Sequence, residues 1–208
     1  MKKYGLNSAE YIKCLFIDYL LSKGEALIIG NELMYGIKRK LVDLVILQKN
    51  KIIGVEIKSD NDNLSRLEEQ ISEYKKIFDY VIIVTTEKHK NKISKFASLD
   101  IGIYVFENNL TIKRIRSPHI QRNRDKVEML YSINAKYLSK LGNYTLCKYN
   151  TDEVRKIYAK KRISYIQEIL LLYLTEKYKD RFSLFMNERG TLTHIEDLSI
   201  LSSSFQIE

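Results

Sequence analysis

Two carboxylates and an ammonium are set to meet in the stretch VDLVILQKNKIIGVEIKS, residues 42–59. Two apolar, β-branched runs flank the short polar break QKNK, the pattern of a β-hairpin. With Lys49 and Asn50 as a two-residue turn, Gln48 faces Lys51. The same register sets Asp43 opposite Glu56, their Cβ atoms about 5 Å apart. Strand side chains alternate, so Glu56 and Lys58 share a face. A half-buried carboxylate pair repels itself unless a positive charge lies between. A divalent cation is one such charge: Mg²⁺ takes oxygen ligands, commonly one or two carboxylates, with water and substrate phosphate completing its shell. Asp43, Glu56 and the backbone carbonyl of Ile57 form a partial shell of that kind. Lys58 could orient or deprotonate a water there, or stabilise charge on a phosphate in the transition state. The expected chemistry is phosphodiester hydrolysis with Mg²⁺ or Mn²⁺. The plain alternative is a salt bridge from Lys58 to Asp43, with Glu56 on a solvated face.

The surrounding elements decide whether these residues can be held together. Ser8 precedes AEYIKCLFIDYLLSKG, whose Ile12, Leu15, Phe16 and Tyr19 mark one helical stripe ending before Gly24. ALIIGNEL reads as a strand and ends near Glu32, a possible third carboxylate. After the hairpin, Leu64, Leu67, Ile71, Tyr74 and Phe78 recur at intervals of three and four, an amphipathic helix. Gln70 and Tyr74 lie one above the other on it. YVIIVTT, residues 80–86, reads as a buried parallel strand reached by that helix. A short helix near 90–98 and the strands IGIYVFE and LTIKRIR follow. The order to residue 116 is α-β-β-β-α-β-α-β-β, an α/β sheet with helices on its faces. Beyond the only proline, Pro118, helices are expected near 121–141 and 151–178, packed on the sheet, with residues 190–208 poorly patterned.

The chain of 208 residues is 45% hydrophobic, enough for a sizeable core. No apolar run approaches the roughly 20 residues of a membrane span, and the start MKKYGLNSAEYIK has no signal-peptide core. Two cysteines, Cys14 and Cys147, make neither a disulfide framework nor a zinc site. A cytoplasmic protein is expected. The net charge of +9 sits almost wholly in residues 113–162, which hold 14 Lys or Arg against 4 Asp or Glu. That block suits a polyanion such as nucleic acid, or is a solvated helical face.

Asp43, then Glu56-Ile57-Lys58, on successive strands between two helices, resemble the PD-(D/E)XK, or restriction-endonuclease-like, nuclease superfamily. Gln70-x-x-x-Tyr74 resembles the QxxxY element of its RecB-like branch. The run EIKSDNDNLSRLEEQ, residues 56–70, is similar to the EIKSDxDxLxRLxxQ signature of small uncharacterised bacterial proteins assigned there. The resemblance covers roughly residues 8–107; Val42 stands where the family name has proline. It implies an αβββαβ nuclease core, residues 1–117, with a mainly helical C-terminal extension, residues 118–208, basic in its first half. It implies that Asp43 and Glu56 ligate the metal, that Lys58 is the catalytic lysine, that Glu32 supports the metal and that Gln70 places Lys58 or the substrate backbone. Tyr74 matches the motif and also lies on the apolar stripe. Many members carry an acid on the first helix, for which Glu10 is the candidate. Asp60 could tune Lys58 or bind a second ion, while Asp62 and Asn63 suit helix capping. Arg66, the loop Lys38-Arg39-Lys40, and Arg114 and Arg116 within KRIRSPHIQRNR are candidate nucleic-acid contacts.

The expected function is a metal-dependent nuclease acting on DNA in repair, defence or mobile-element processing. The alternatives are a non-catalytic nucleic-acid-binding module and a subunit active only with a protein partner or as a homo-oligomer. Lys58→Ala and Glu56→Ala are expected to abolish cleavage and leave the fold intact, because packing rests on Val55 and Ile57 of the opposite face.

Overall fold

The structure, a computed structural model, describes residues 8–107, 110–143 and 150–202. The expectations for the extreme N-terminus and for Cys147 fall outside them. Helix α1 (Ala9–Leu21) begins at Ser8, whose side chain accepts from the Tyr11 N–H. Strands β1 (Ile28–Tyr35), β2 (Lys40–Gln48) and β3 (Lys51–Lys58) follow. A 3-10 turn (Leu64–Arg66) leads into α2 (Leu67–Lys75), β4 (Tyr80–Thr86), α3 (Glu87–Phe96), β5 (Gly102–Phe106) and β6 (Ile112–Arg116). The six strands lie in chain order in one sheet. β3, β4 and β5 run parallel, with helices in the crossovers; the remaining pairs are antiparallel.

The hairpin forms in the expected register, from Gln48↔Lys51 to Leu44↔Val55. Lys49 and Asn50 adopt φ of 50° and 60°. Two left-handed residues are what a type I′ turn needs to match strand twist.

Two apolar layers enclose the sheet. On one face Ile12, Phe16 and Ile17 of α1 pack on Leu44, Ile46, Val55 and Ile57. On the other, Leu67, Ile71 and Tyr74 of α2 meet Val45, Leu47, Ile52 and Phe78. Gly54 lies under Phe78: a Cβ there would come within 2.4 Å of the ring.

The C-terminal half is helical but more divided than the periodicity suggests. In place of one helix near 121–141 there are α4 (Lys126–Tyr131) and α5 (Ala135–Leu141). Residues 121–125 are held extended by Gln121 N–H to Asp79 O and Asp125 N–H to Lys76 O. Asn134 caps α5 and so breaks the helix before it. The second expected helix is likewise two, α6 (Thr151–Ala159) and α7 (Ile163–Glu188), the latter running ten residues past the expected end. Met129, Leu138, Val154, Ile166 and Leu170 join the α2-side layer. α7 passes along β1, where Tyr178 sits 2.4 Å from the place a Cβ on Gly30 would take. Its Phe185 belongs to the α1-side layer, with Leu198 and Leu201 of the segment that follows. That segment pairs with β1: Asn31 donates its N–H to Leu201 O at 3.0 Å. Among the described residues no helix is long and apolar enough to cross a membrane.

Candidate active site

The sheet opens on both sides of Asp43. The β1–β2 ladder passes from Asn31↔Leu44 to Leu33↔Val42 and skips the rung between, where Glu32 has a φ of 55°. The β2–β3 ladder stops at Leu44↔Val55. The next β3 amide, Ile57 N–H, donates to Asp43 Oδ2 at 2.7 Å, so a side chain replaces the backbone partner. Face alternation breaks at the same point: Val42 joins Val45 and Leu47 on the α2 side, although its parity matches Leu44 and Ile46 on the α1 side. A strand that pairs fully on both edges could not present a carboxylate this way.

Glu56 and Lys58 point to the α2 side, as alternation requires. Glu56 is 3% exposed and Lys58 8%. Lys58 Nζ donates to Glu56 Oε1 at 2.6 Å, and Gln70 Nε2 to the same oxygen at 2.5 Å. The Tyr74 hydroxyl donates to Glu56 Oε2. Gln70 and Tyr74, stacked a turn apart on α2, thus both grip one carboxylate. Tyr74 is also a fully buried core residue, against Tyr35 and Phe78. The plain alternative, a salt bridge of Lys58 to Asp43 with a solvated Glu56, is not what forms. The burial also revises the expected effect of alanine variants. Truncating either partner of a buried ion pair leaves an uncompensated charge, a cost of about 3–5 kcal/mol, so Lys58→Ala and Glu56→Ala test stability as well as activity.

The partner of Asp43 comes from α1. Lys13 Nζ lies 3.6 Å from Asp43 Oδ1, 3.8 Å from Glu32 Oε1 and 3.1 Å from Asn31 Oδ1. Its side chain is only 7% exposed. Asn31 is held in turn by Leu198 O and Ser202 Oγ, which accept from its Nδ2. Lys13 and Asn31 went unnoticed in the sequence. The signal was a lysine flanked by buried Ile12, Cys14, Phe16 and Ile17 on an apolar helix. Glu10, the acid expected from α1, is exposed.

Burial pushes the Glu56 carboxyl above the ordinary carboxylate range, and the nearby Asp43 charge adds to it; Lys58 and Tyr74 oppose the shift. Asp43 is also raised, chiefly by burial, with Lys13, the Ile57 amide and Lys58 working against it. Tyr74 lies well above its usual value, through burial and then the Glu56 charge. The two carboxylates therefore feel each other, and neither has enough positive charge beside it to cancel the cost of burial. Among the described residues no three His, Cys, Asp or Glu side chains gather closely enough to hold a metal ion. Glu32 is paired with Lys13 instead of completing a carboxylate triad.

The remaining candidates divide. Asp60 accepts from Thr86 Oγ1 at 2.5 Å, tying β3 to the end of β4. Asp62 accepts from the Ser59 amide and hydroxyl, and Asn63 caps the 3-10 turn through Ser65 N–H. A cleft of about 450 Å³ runs beside them, lined also by Lys88, His89 and Lys92. Arg66 and Arg39 are exposed. Lys40 Nζ is 2.5 Å from Glu69, and Lys38 lies within 4 Å of Glu69 and Glu73, so both face acidic residues of α2. Arg116 donates to Ile101 O and Ala97 O and holds backbone. Arg114 is exposed on β6, three strands from β3. Part of the basic block is likewise internal: Arg124 pairs with Asp79, and Arg155 donates to Leu130 O.

The family model of Bacteriophage P4 protein cII matches residues 3–202. Protein cII of Enterobacteria phage P4 is 34% identical over 116 residues, 54% of this chain and 42% of that protein, so the match spans less than half of the relative. Among solved structures, a protein of unknown function from Silicibacter pomeroyi aligns with 69% of this chain and 88% of its own at 15% identity, with a TM-score of 0.40.

Proposed function

The chain belongs to the Bacteriophage P4 protein cII family, and we propose that it is a metal-dependent nuclease with a restriction-endonuclease-like core, hydrolysing phosphodiester bonds in DNA. The observation that carries this reading is the convergence on one buried carboxylate: Glu56 is gripped by Lys58, Gln70 and Tyr74, with Asp43 close enough to raise it. Membership in a phage protein family supports a mobile-element setting.

The donor set fits a hard divalent cation. Asp43, Glu56 and the Ile57 carbonyl are oxygens, and the two raised carboxyls gain from any cation placed beside them. Asp43 Oδ2 spends one lone pair on Ile57 N–H, and Glu56 Oε2 one on Tyr74, so both carboxylates keep acceptor capacity. Mg²⁺ or Mn²⁺ bound there would supply Lewis-acid activation of water and of the phosphodiester. Lys58, fixed by Glu56, would hold a positive charge beside a phosphate bound there. Gln70 and Tyr74 keep Glu56 from turning away, and Gln70 Oε1 is a buried acceptor with no hydrogen-bond partner. Lys88 and Lys92 put two cations in the adjoining cleft, which Asp60 and Asp62 also line.

A second reading has its own support. Both oxygens of Glu56 already receive donors and Asp43 already has Lys13, so the charges are partly balanced with no metal. This favours a nucleic-acid-binding module that keeps the fold without the reaction. Incubating wild type and Asp43→Asn with linear, circular and single-stranded DNA in Mg²⁺, Mn²⁺ or EDTA separates the two. Cleavage that needs metal and is lost in Asp43→Asn is expected. Salt-dependent DNA binding without cleavage under any condition would favour the binding module.

A further inference from the structure

Lys13 is the charge in this site that neither the motif nor the proposed chemistry uses. A lysine this buried is stable only where its ammonium is paired. Its three oxygen neighbours belong to Asn31, Glu32 and Asp43, two on β1 and one on β2. Only the Asn31 contact, at 3.1 Å, is a hydrogen bond; at 3.6 and 3.8 Å the carboxylates are held by charge alone. The ammonium is thus a cation set among three oxygens, the environment in which a divalent ion would otherwise bind.

Asp43 is divided between two neighbours. Its Oδ1 faces Lys13 and its Oδ2 faces β3, where Ile57 and Glu56 lie. We propose that Lys13 is the site's built-in second cation: it fills the position between Glu32 and Asp43, so that the site takes a single divalent ion, on the Asp43 Oδ2 and Glu56 side. Rigid burial fixes the charge without any ion from solution. A second divalent ion near Glu32 would meet a like charge a few ångströms away. Asn31 is the positioning residue, since its Oδ1 is the one hydrogen-bond acceptor that aims the ammonium.

This inference rests on the metal-dependent reading, and counting ions separates the two. Mn²⁺ is titrated into the purified chain, with bound ion measured by calorimetry and by the loss of the free Mn²⁺ electron-spin signal. Wild type is expected to bind one ion per chain. Lys13→Met, similar in length but uncharged, is expected to bind two, and Lys13→Arg one. Two ions in wild type would overturn the inference and leave the metal-dependent reading standing. So would a single ion in a folded Lys13→Met chain. No ion in wild type would remove the metal-dependent reading and the inference with it. Circular dichroism and the urea midpoint check that Lys13→Met folds; if it does not, Lys13→Gln is titrated in its place, and two ions in wild type would still overturn the inference.

Discussion

Tyr74 and Tyr35 are two fully buried phenols in edge-to-face contact, their ring centroids 5.3 Å apart. Their hydroxyls have opposite circumstances. The Tyr74 hydroxyl donates to Glu56 Oε2, whereas the Tyr35 hydroxyl is buried without a hydrogen-bond partner. Tyr74→Phe removes one of the donors on a buried carboxylate and leaves the ring in place. A hydrogen bond to a charged group is worth about 1.5–3 kcal/mol. At about 2–4 °C per kcal/mol for a chain of this size, the melting temperature should fall by about 3–12 °C. Tyr35→Phe removes a hydroxyl that is buried without return, a burden of about 1–3 kcal/mol, and should leave stability equal to or above wild type. Urea denaturation of both variants, with unchanged m-values, measures the difference directly. If Tyr74→Phe matched wild type, or Tyr35→Phe were the more damaging, Tyr74 would be only a packing residue and the wiring of Glu56 would be wrong.

Other outcomes follow from the same geometry. Asp43 and Glu56 both bind their protons more tightly folded than unfolded, so metal-free stability is fully present below the ordinary carboxylate pKa and is lost as pH rises through the raised values. Asp43→Asn should flatten that slope and raise the metal-free melting temperature at pH 7, which a thermal melt series from pH 4 to 8 would show; an unchanged slope would contradict the mutual repulsion. Burial, with Asp18 and Asp197 nearby, pushes the Cys14 thiol up to about 12. Iodoacetamide at pH 8 should therefore spare Cys14 in the native chain and label it once unfolded, as peptide mass spectrometry would read; native labelling at the unfolded rate would argue against its placement. Gly54→Ala would force a methyl into the Phe78 ring and should cost at least about 1–3 kcal/mol in urea midpoint, an outcome that a neutral substitution would refute.

Much of this was legible because it was local. The turn at Lys49 and Asn50, the hairpin register and the α2 stripe all follow from periodicity within a few residues. Glu56, Lys58, Gln70 and Tyr74 could be grouped because strand and helix spacing fix which side chains share a face. Lys13 could not be found that way. Its partners lie 18 or more residues away, and helical periodicity tells that a lysine sits on an apolar stripe, not what waits opposite it. The same limit governs Lys40 and Arg116, whose partners, Glu69 and backbone carbonyls, lie on other elements. Capping chemistry was the missed local signal: Asn134 starts α5 and divides what looked like one helix.

Asn31 also gives the site a place in time. Its amide and side chain are satisfied by Leu198, Leu201 and Ser202, about 170 residues further along the chain. A chain still on the ribosome can already have made every residue from Asp43 to Tyr74 and closed the hairpin. Until residues 198–202 emerge and fold back along β1, Asn31 lacks its anchors and Lys13 its aim. The site is therefore completed by one of the last described segments to be translated, and a chain truncated before residue 198 would carry the whole motif around an unfinished centre.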